Sequence, residues 1–285
     1  MAATAKSRYI TAVKWFTAFV CALLCAAAVC CFTGSSADAA AVTNCTVSGL
    51  TAKTYTGKAQ TQSITVKYRN KTLKNGKDYT VSYQNNINAG TAYVIIKGKG
   101  SYSGTVKRSF TIKPAIIYKQ CTFYKIASQY YTGSQIKPVP KIKNGTTTLK
   151  NGTDFTLTYQ NNVNKGTAKV YIKGKGNYTG TCEKTFTISA RSMSDSQYAS
   201  EFMIQAIPDQ YYLGKNEQVK PTITVQREGE ELKLGTDYTV QYYNNTTVST
   251  DSSKAKVTVY GKGNYKDEIS AEYNIVKVPM DNVTI

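Results

Sequence analysis

Leu73 to Ile112 (LKNGKDYTVSYQNNINAGTAYVIIKGKGSYSGTVKRSFTI) returns as Leu149 to Ile188 (LKNGTDFTLTYQNNVNKGTAKVYIKGKGNYTGTCEKTFTI), at an offset of 76 that also relates Gly57 to Gly133. A third, diverged copy contains LKLGTDYTVQYYNN (Leu232 to Asn245) and KAKVTVYGKGNY (Lys254 to Tyr265). A unit of this length buries only about 60% of its unfolded surface and is marginally stable by itself, so end-to-end packing, a disulfide or a short rigid linker would help it. Relative to the second copy, the third gains two residues between Gly214 and Pro221 and four between Asn245 and Ala255. Both insertions fall where loops are expected.

Inside each copy the apolar period is two, which predicts strands rather than helices. Tyr79, Val81 and Tyr83 alternate with Thr80, Ser82 and Gln84, and the same alternation recurs at Phe155, Leu157 and Tyr159 and at Tyr238, Val240 and Tyr242. A second strand follows on Ala92, Val94 and Ile96, then on Ala168, Val170 and Ile172, then on Ala255, Val257 and Val259. Asn-Gly at 75–76 and 151–152 reads as a hairpin turn, and its reduction to Gly235 in the third copy points to a positive φ at the glycine. Six or seven short antiparallel strands per copy predict an all-β chain of three small tandem β-sandwich units. Residues 40–115, 116–190 and 191–279 are the expected units, with Arg191 to Ser200 as a polar linker before the third. Residues 280–285 form a tail or the start of a further copy, since Asn282 to Ile285 resembles Asn44 to Val47.

Residues 1–39 have the layout of a secretory signal: basic Lys6, Arg8 and Lys14, an apolar run from Trp15 to Phe32, and Ala37-Asp38-Ala39 as a cleavage pattern, with cleavage after Ala39 or Ala41. Export sends the mature chain to an oxidising compartment outside the cell, and an uncleaved segment would be its sole expected membrane contact. Of the cysteines beyond this segment, Cys121 and Cys182 open and close the second copy and are a possible disulfide, although Cys45, Cys121 and Phe202 share one slot that an apolar group can fill.

The chain contains no histidine, which removes Ser-His-Asp, Cys-His and His-ligated zinc chemistry. No catalytic, cofactor-binding or metal-binding residue stands out. Asp78, Asp154 and Asp237 recur once per copy and are expected to bond turn amides, because a glycosidase needs two carboxylates per site. Glu228, Glu230 and Glu231 read as an exposed hairpin. GKGSYSG (Gly98 to Gly104) and GKGNYTG (Gly174 to Gly180) miss the spacing of phosphate loops and read as tight turns, with Tyr102, Tyr178 and Tyr265 turned inward.

Charge is the remaining functional clue. Residues 40–190 hold 23 Lys and Arg against three acids, whereas residues 191–285 hold 10 against 13. The basic copies are expected to attract an anionic cell-wall polymer or host glycan, with Lys97, Lys99, Lys173, Lys175 and Lys262 as candidate contacts and no nucleic-acid module in sight. Exposed tyrosines such as Tyr130, Tyr131, Tyr211 and Tyr212 offer the alternative of stacking on neutral sugars.

The string DYTVSYQNNINAG, followed by GKGSYSGT and preceded by YTG, resembles the Ig-like β-sandwich repeats strung in tandem on surface and secreted proteins of Gram-positive bacteria. That resemblance spans the chain after the signal. It implies an extracellular, non-enzymatic spacer or adhesion module, or an accessory segment of a larger secreted enzyme, with no cofactor.

Overall fold

The computed structural model describes residues 39–279; the signal expected at the start and the tail at 280–285 lie outside them. The chain divides into two compact units. The first gathers the described part of Met1–Thr51 with Gln60–Asn86 and Thr91–Phe110, and the second gathers Ala52–Ala59, Ile87–Gly90 and the described part of Thr111–Ile285. The fold is all-β, a series of small sandwiches. Among the described residues no helix is long and apolar enough to cross a membrane.

In copy one Tyr79–Gln84 runs antiparallel to Gly90–Gly98, placing Val81 opposite Ile96 and Tyr83 opposite Val94. Thr46–Ser48, Thr65–Tyr68 and Lys71–Thr72 form a three-stranded antiparallel sheet. Val42, Val66, Val94 and Ile96 are fully buried between the layers, joined by Cys45, Leu73, Tyr79 and Val106. Each such aliphatic side chain contributes roughly 1.5–3 kcal/mol on burial, which is how so small a module offsets its chain entropy.

The second unit contains copies two and three complete. In copy two the sheet order is Gln129–Tyr130, Thr181–Ser189, Gly166–Gly174, Phe155–Gln160. It faces a smaller sheet of Thr122–Phe123, Ile142–Asn144 and Thr147–Thr148. Phe155, Ala168, Val170, Ile172, Phe186 and Ile188 fill the space between, in the alternation that the sequence predicts. Copy three repeats the plan with Tyr238–Tyr243, Ala255–Gly261 and Glu268–Tyr273 opposite Phe202–Ile204, Val225–Arg227 and Glu230–Glu231. Tyr83, Tyr159 and Tyr242 are half-buried against their cores and donate their hydroxyls to the carbonyls of Gln62, Pro138 and Pro221.

Three expectations need correction. Arg191 to Ser200 is no linker: Arg191–Ser192 pairs in parallel with Tyr265–Lys266, and Met193 is fully buried, so this segment is the head of copy three. The strands are not all antiparallel, because Ala115–Ile116 pairs in parallel with Tyr178–Thr179 and Gln129 with Ile188. Nor is Asn-Gly a hairpin turn. Thr147–Thr148 and Phe155–Gln160, which flank it in copy two, belong to different sheets, so the loop is a corner between layers. The positive φ is present, at +84°, +85° and +81° for Gly76, Gly152 and Gly235. Local turn chemistry and the distant pairing of the strands are separate constraints, and the dipeptide reports only the first.

Gly98, Gly174 and Gly261 are demanded for a different reason. A Cβ on Gly174 would stand 2.7 Å from the Thr179 amide nitrogen, where the loop folds back on its own strand. Gly174→Ala is therefore expected to lower stability by about 2–3 kcal/mol in urea unfolding. Gly152→Ala, whose Cβ meets nothing within 4 Å, should cost only about 1–2 kcal/mol of backbone strain. Equal losses would refute the close-approach argument.

Candidate functional site

The loop Gly-Lys-Gly-x-Tyr is where the conspicuous residues of each copy converge. In copy two the Lys175 amide donates to the Asp154 carbonyl at 2.8 Å, and the Lys175 ammonium donates to the Gly152 carbonyl at 2.7 Å. Lys99 bonds Gly76 and Lys262 bonds Gly235 in the same way. Each lysine thus latches the glycine loop to the corner that precedes the first long strand. The corner is braced in turn by its aspartate, since Asp78, Asp154 and Asp237 accept from the amides of Lys74, Lys150 and Lys233 at 2.8, 2.8 and 2.9 Å. The expected turn-capping role of these acids holds. The lysine heads are exposed, yet part of their donor capacity is spent inside the fold.

Lys97 and Lys173 differ. Both are exposed on the outward face of the larger sheet, opposite Thr80 and Thr156, and neither has an ionic partner among the described residues. Of the three acids in residues 40–190, Asp78 and Asp154 cap corners and Glu183 pairs with Lys169 at 3.0 Å, so none faces Lys97 or Lys173.

The residue between the second glycine and the tyrosine has a role that the sequence reading missed. Asn177 Oδ1 accepts the Ala89 amide at 2.8 Å, and its Nδ2 donates to Asn88 Oδ1 at 3.1 Å. Asn264 repeats the arrangement on Lys165 and Asn164, at 2.8 and 3.1 Å. The carbonyls of the same two asparagines accept the amides of Ala115 and Arg191, at the boundary before copy two and at the start of copy three. Beside each clasp Tyr178 meets Tyr55 edge-on at 5.4 Å, and Tyr265 meets Tyr131 at 5.5 Å. A signal was available: Asn at this position in copies two and three, but Ser101 in copy one, alongside Asn88 and Asn164 in the turns that are clasped.

The second clasp has an ionic supplement. Glu201 receives Arg191 in a two-pronged pair and Arg227 Nε at 3.0 Å, while Arg227 Nη1 reaches the Thr132 carbonyl at 3.3 Å. Arg191 also lies 3.9 Å above the Tyr198 ring, whose other neighbour is Tyr130. Tyr130 and Tyr131 thereby touch copy three, although Tyr130, like Tyr211, stays half exposed, and Tyr212 packs on the copy-three core. Glu228, Glu230 and Glu231 are exposed, as the hairpin reading has it. Cys121 and Cys182 are unbonded thiols on the core of copy two, and Cys45 is a buried thiol in copy one. Among the described residues no group of three or more Cys, Asp or Glu is placed to hold a metal ion.

No known family matches the sequence, and no curated protein does. Among solved structures the chain is similar to the protocadherin gammaB7 EC3-6 cis-dimer at 10% identity and a TM-score of 0.25, over 81% of this chain and 72% of that one. The tandem β-sandwich architecture rests on the strand pairings themselves.

Burial pushes the Glu201 carboxyl up, but hydrogen bonds from Arg191 and Arg227 outweigh it and hold it below the ordinary 4.5. A carboxylate lowered in the folded state adds stability above its unfolded value and loses it as pH falls through the folded one. Copy three should therefore lose stability progressively as pH falls from the ordinary carboxylate value down through the lower folded one, by an amount set by the size of that lowering. Glu201→Gln should remove that acid-dependent loss in a comparison of urea unfolding at pH 7 and pH 3. An unchanged pH dependence would contradict the role given to the pair.

Proposed function

We propose that this chain is a secreted, non-enzymatic surface protein whose copies serve as spacer and adhesion module, with copies one and two binding an anionic cell-wall or host polymer. The observation that carries the proposal is the placement of charge. Lysines recur on one outward sheet face, and the acids of the same copies are occupied elsewhere. A polymer with closely spaced sulfates or phosphates meets such a face through counterion release, needing little shape complementarity. Copy three, with more acids than bases, does not share this property and serves to extend the array. An enzyme would need reactive groups gathered in a cleft, and the aspartates common to all copies are already committed to their corners.

Retention of the full chain on heparin or teichoic-acid beads is expected at low ionic strength, with release as salt approaches about 1 M, where screening reaches about 3 Å. The double change Lys97→Gln and Lys173→Gln should lower the slope of log affinity against log salt by about 1–2. Lys99→Gln with Lys175→Gln should weaken binding less, because those ammonium groups already bond Gly76 and Gly152. Binding indifferent to salt would overturn the electrostatic reading and favour sugar stacking on exposed tyrosines such as Tyr118 and Tyr124.

A further inference from the structure

One position near the head of each copy and one position in its last long strand belong to the same apolar cluster. In copy one these are Cys45 and Val106, and in copy three Phe202 and Ile269, each pair sharing a single apolar cluster. In copy two the same two positions are Cys121 and Cys182, both half-buried against one core. The chain path explains the shared cluster. Ala115–Ile116 lies parallel to Tyr178–Thr179, the helical turn Ile117–Gln120 follows, and that turn lies against Thr181–Ser189. Cys121 closes the turn, its amide donating to the Ile117 carbonyl at 3.0 Å. Cys182 comes three residues after Thr179 and stands opposite Ile172, as Ile269 stands opposite Val259 in copy three. We propose that Cys121 and Cys182 are a dithiol–disulfide pair that fastens the head of copy two to its last strand under oxidising conditions.

The electrostatics assign an order to the chemistry. Burial, then the charge of Asp154, then that of Cys182 push the Cys121 thiol up to about 11, so the two sulfur groups lie within each other's field. Burial also raises Cys182, a rise that the Lys184 ammonium offsets only in part. Cys182 is therefore the readier thiolate. With glutathione disulfide as oxidant, the Cys182 thiolate attacks one glutathione sulfur, forming a mixed disulfide and expelling a glutathione thiolate. The Cys121 thiolate then attacks the Cys182 sulfur and expels the second glutathione. Two protein thiols are oxidised, one glutathione disulfide is reduced to two glutathione thiols, and the two protons released by the cysteines end on those thiols. The closed loop of about 60 residues spans most of copy two, a length at which cross-linking strongly restricts the unfolded chain.

The pairing does not depend on the binding reading, and its test is separate. Full-length protein, purified reduced, is equilibrated with a glutathione redox buffer, denatured, blocked with maleimide without reductant, and mapped by peptide mass. The expected result is a peptide pair joined through Cys121 and Cys182, lighter by two hydrogens than the separate peptides, with Cys45 carrying maleimide. Reductant should then lower the thermal midpoint of the oxidised protein by roughly 10 °C or more. It should leave the midpoint of the Cys121→Ser, Cys182→Ser double variant unmoved. Maleimide on both Cys121 and Cys182, glutathione stably attached to either, or linkage of either to Cys45 would each overturn the proposal.

Discussion

The five-residue loop Gly-Lys-Gly-x-Tyr holds each copy together, and its parts cannot be exchanged. Its first glycine leaves no space for a Cβ against the returning backbone. Its lysine ties the loop to the corner between the two sheets, and its tyrosine closes the core, with Tyr178 and Tyr265 at 5% and 6% exposure. In copies two and three the remaining residue is asparagine, whose side chain clasps a turn of the preceding copy while its carbonyl pairs the incoming strand. A stretch that looks like a solvent-exposed turn thus joins core, corner and neighbour. Copy one, with Ser101 there, keeps the carbonyl role toward Ala40.

This arrangement explains why the outward sheet faces are free to vary. Once the loop and the alternating strands fix the fold, the exposed positions are constrained only by β propensity and solubility. Thr80, Ser82 and Gln84 in copy one, Thr156, Thr158 and Gln160 in copy two, and Thr239, Gln241 and Tyr243 in copy three occupy the same row. Lysines on the adjoining strand of copies one and two give that row its sign. In copy three Glu268 and Glu272 on the other flank reverse it. Charge here is a property painted onto a common scaffold, which makes it the feature most readily tuned for a polymer partner.

Much of the architecture is legible in the sequence because a period of two with a repeated core needs few long-range facts. Strand identity, the inward tyrosines, the capping aspartates and the glycine requiring positive φ all follow from local rules, and each holds at Tyr79, Tyr102, Asp154 and Gly152. What fails is what depends on partners remote in the chain. The Asn-Gly corner was indistinguishable from a hairpin because the sheets its flanking strands join are decided elsewhere. Arg191 to Ser200 looked like a linker because Arg191 and Glu201 read as solvated charges until Arg227, more than twenty residues on, makes them a cluster. The lysines at the loop tips were legible as exposed cations, but their bonds to Gly76, Gly152 and Gly235 were not. The asparagine clasp needs two copies in contact to have meaning, and no single copy announces it.

Asn177 couples copy two to the turn before it without being part of either core. Amide hydrogen exchange at Ala89 tests this directly, with Asn177→Ser reproducing the residue that copy one carries. Ala89 should be protected in the native protein and lose protection about tenfold or more in the variant, the loss of a side-chain hydrogen bond of about 1.4 kcal/mol, while Val170 and Ile172 keep theirs. An Ala89 amide that exchanges at the same rate in both proteins would contradict it.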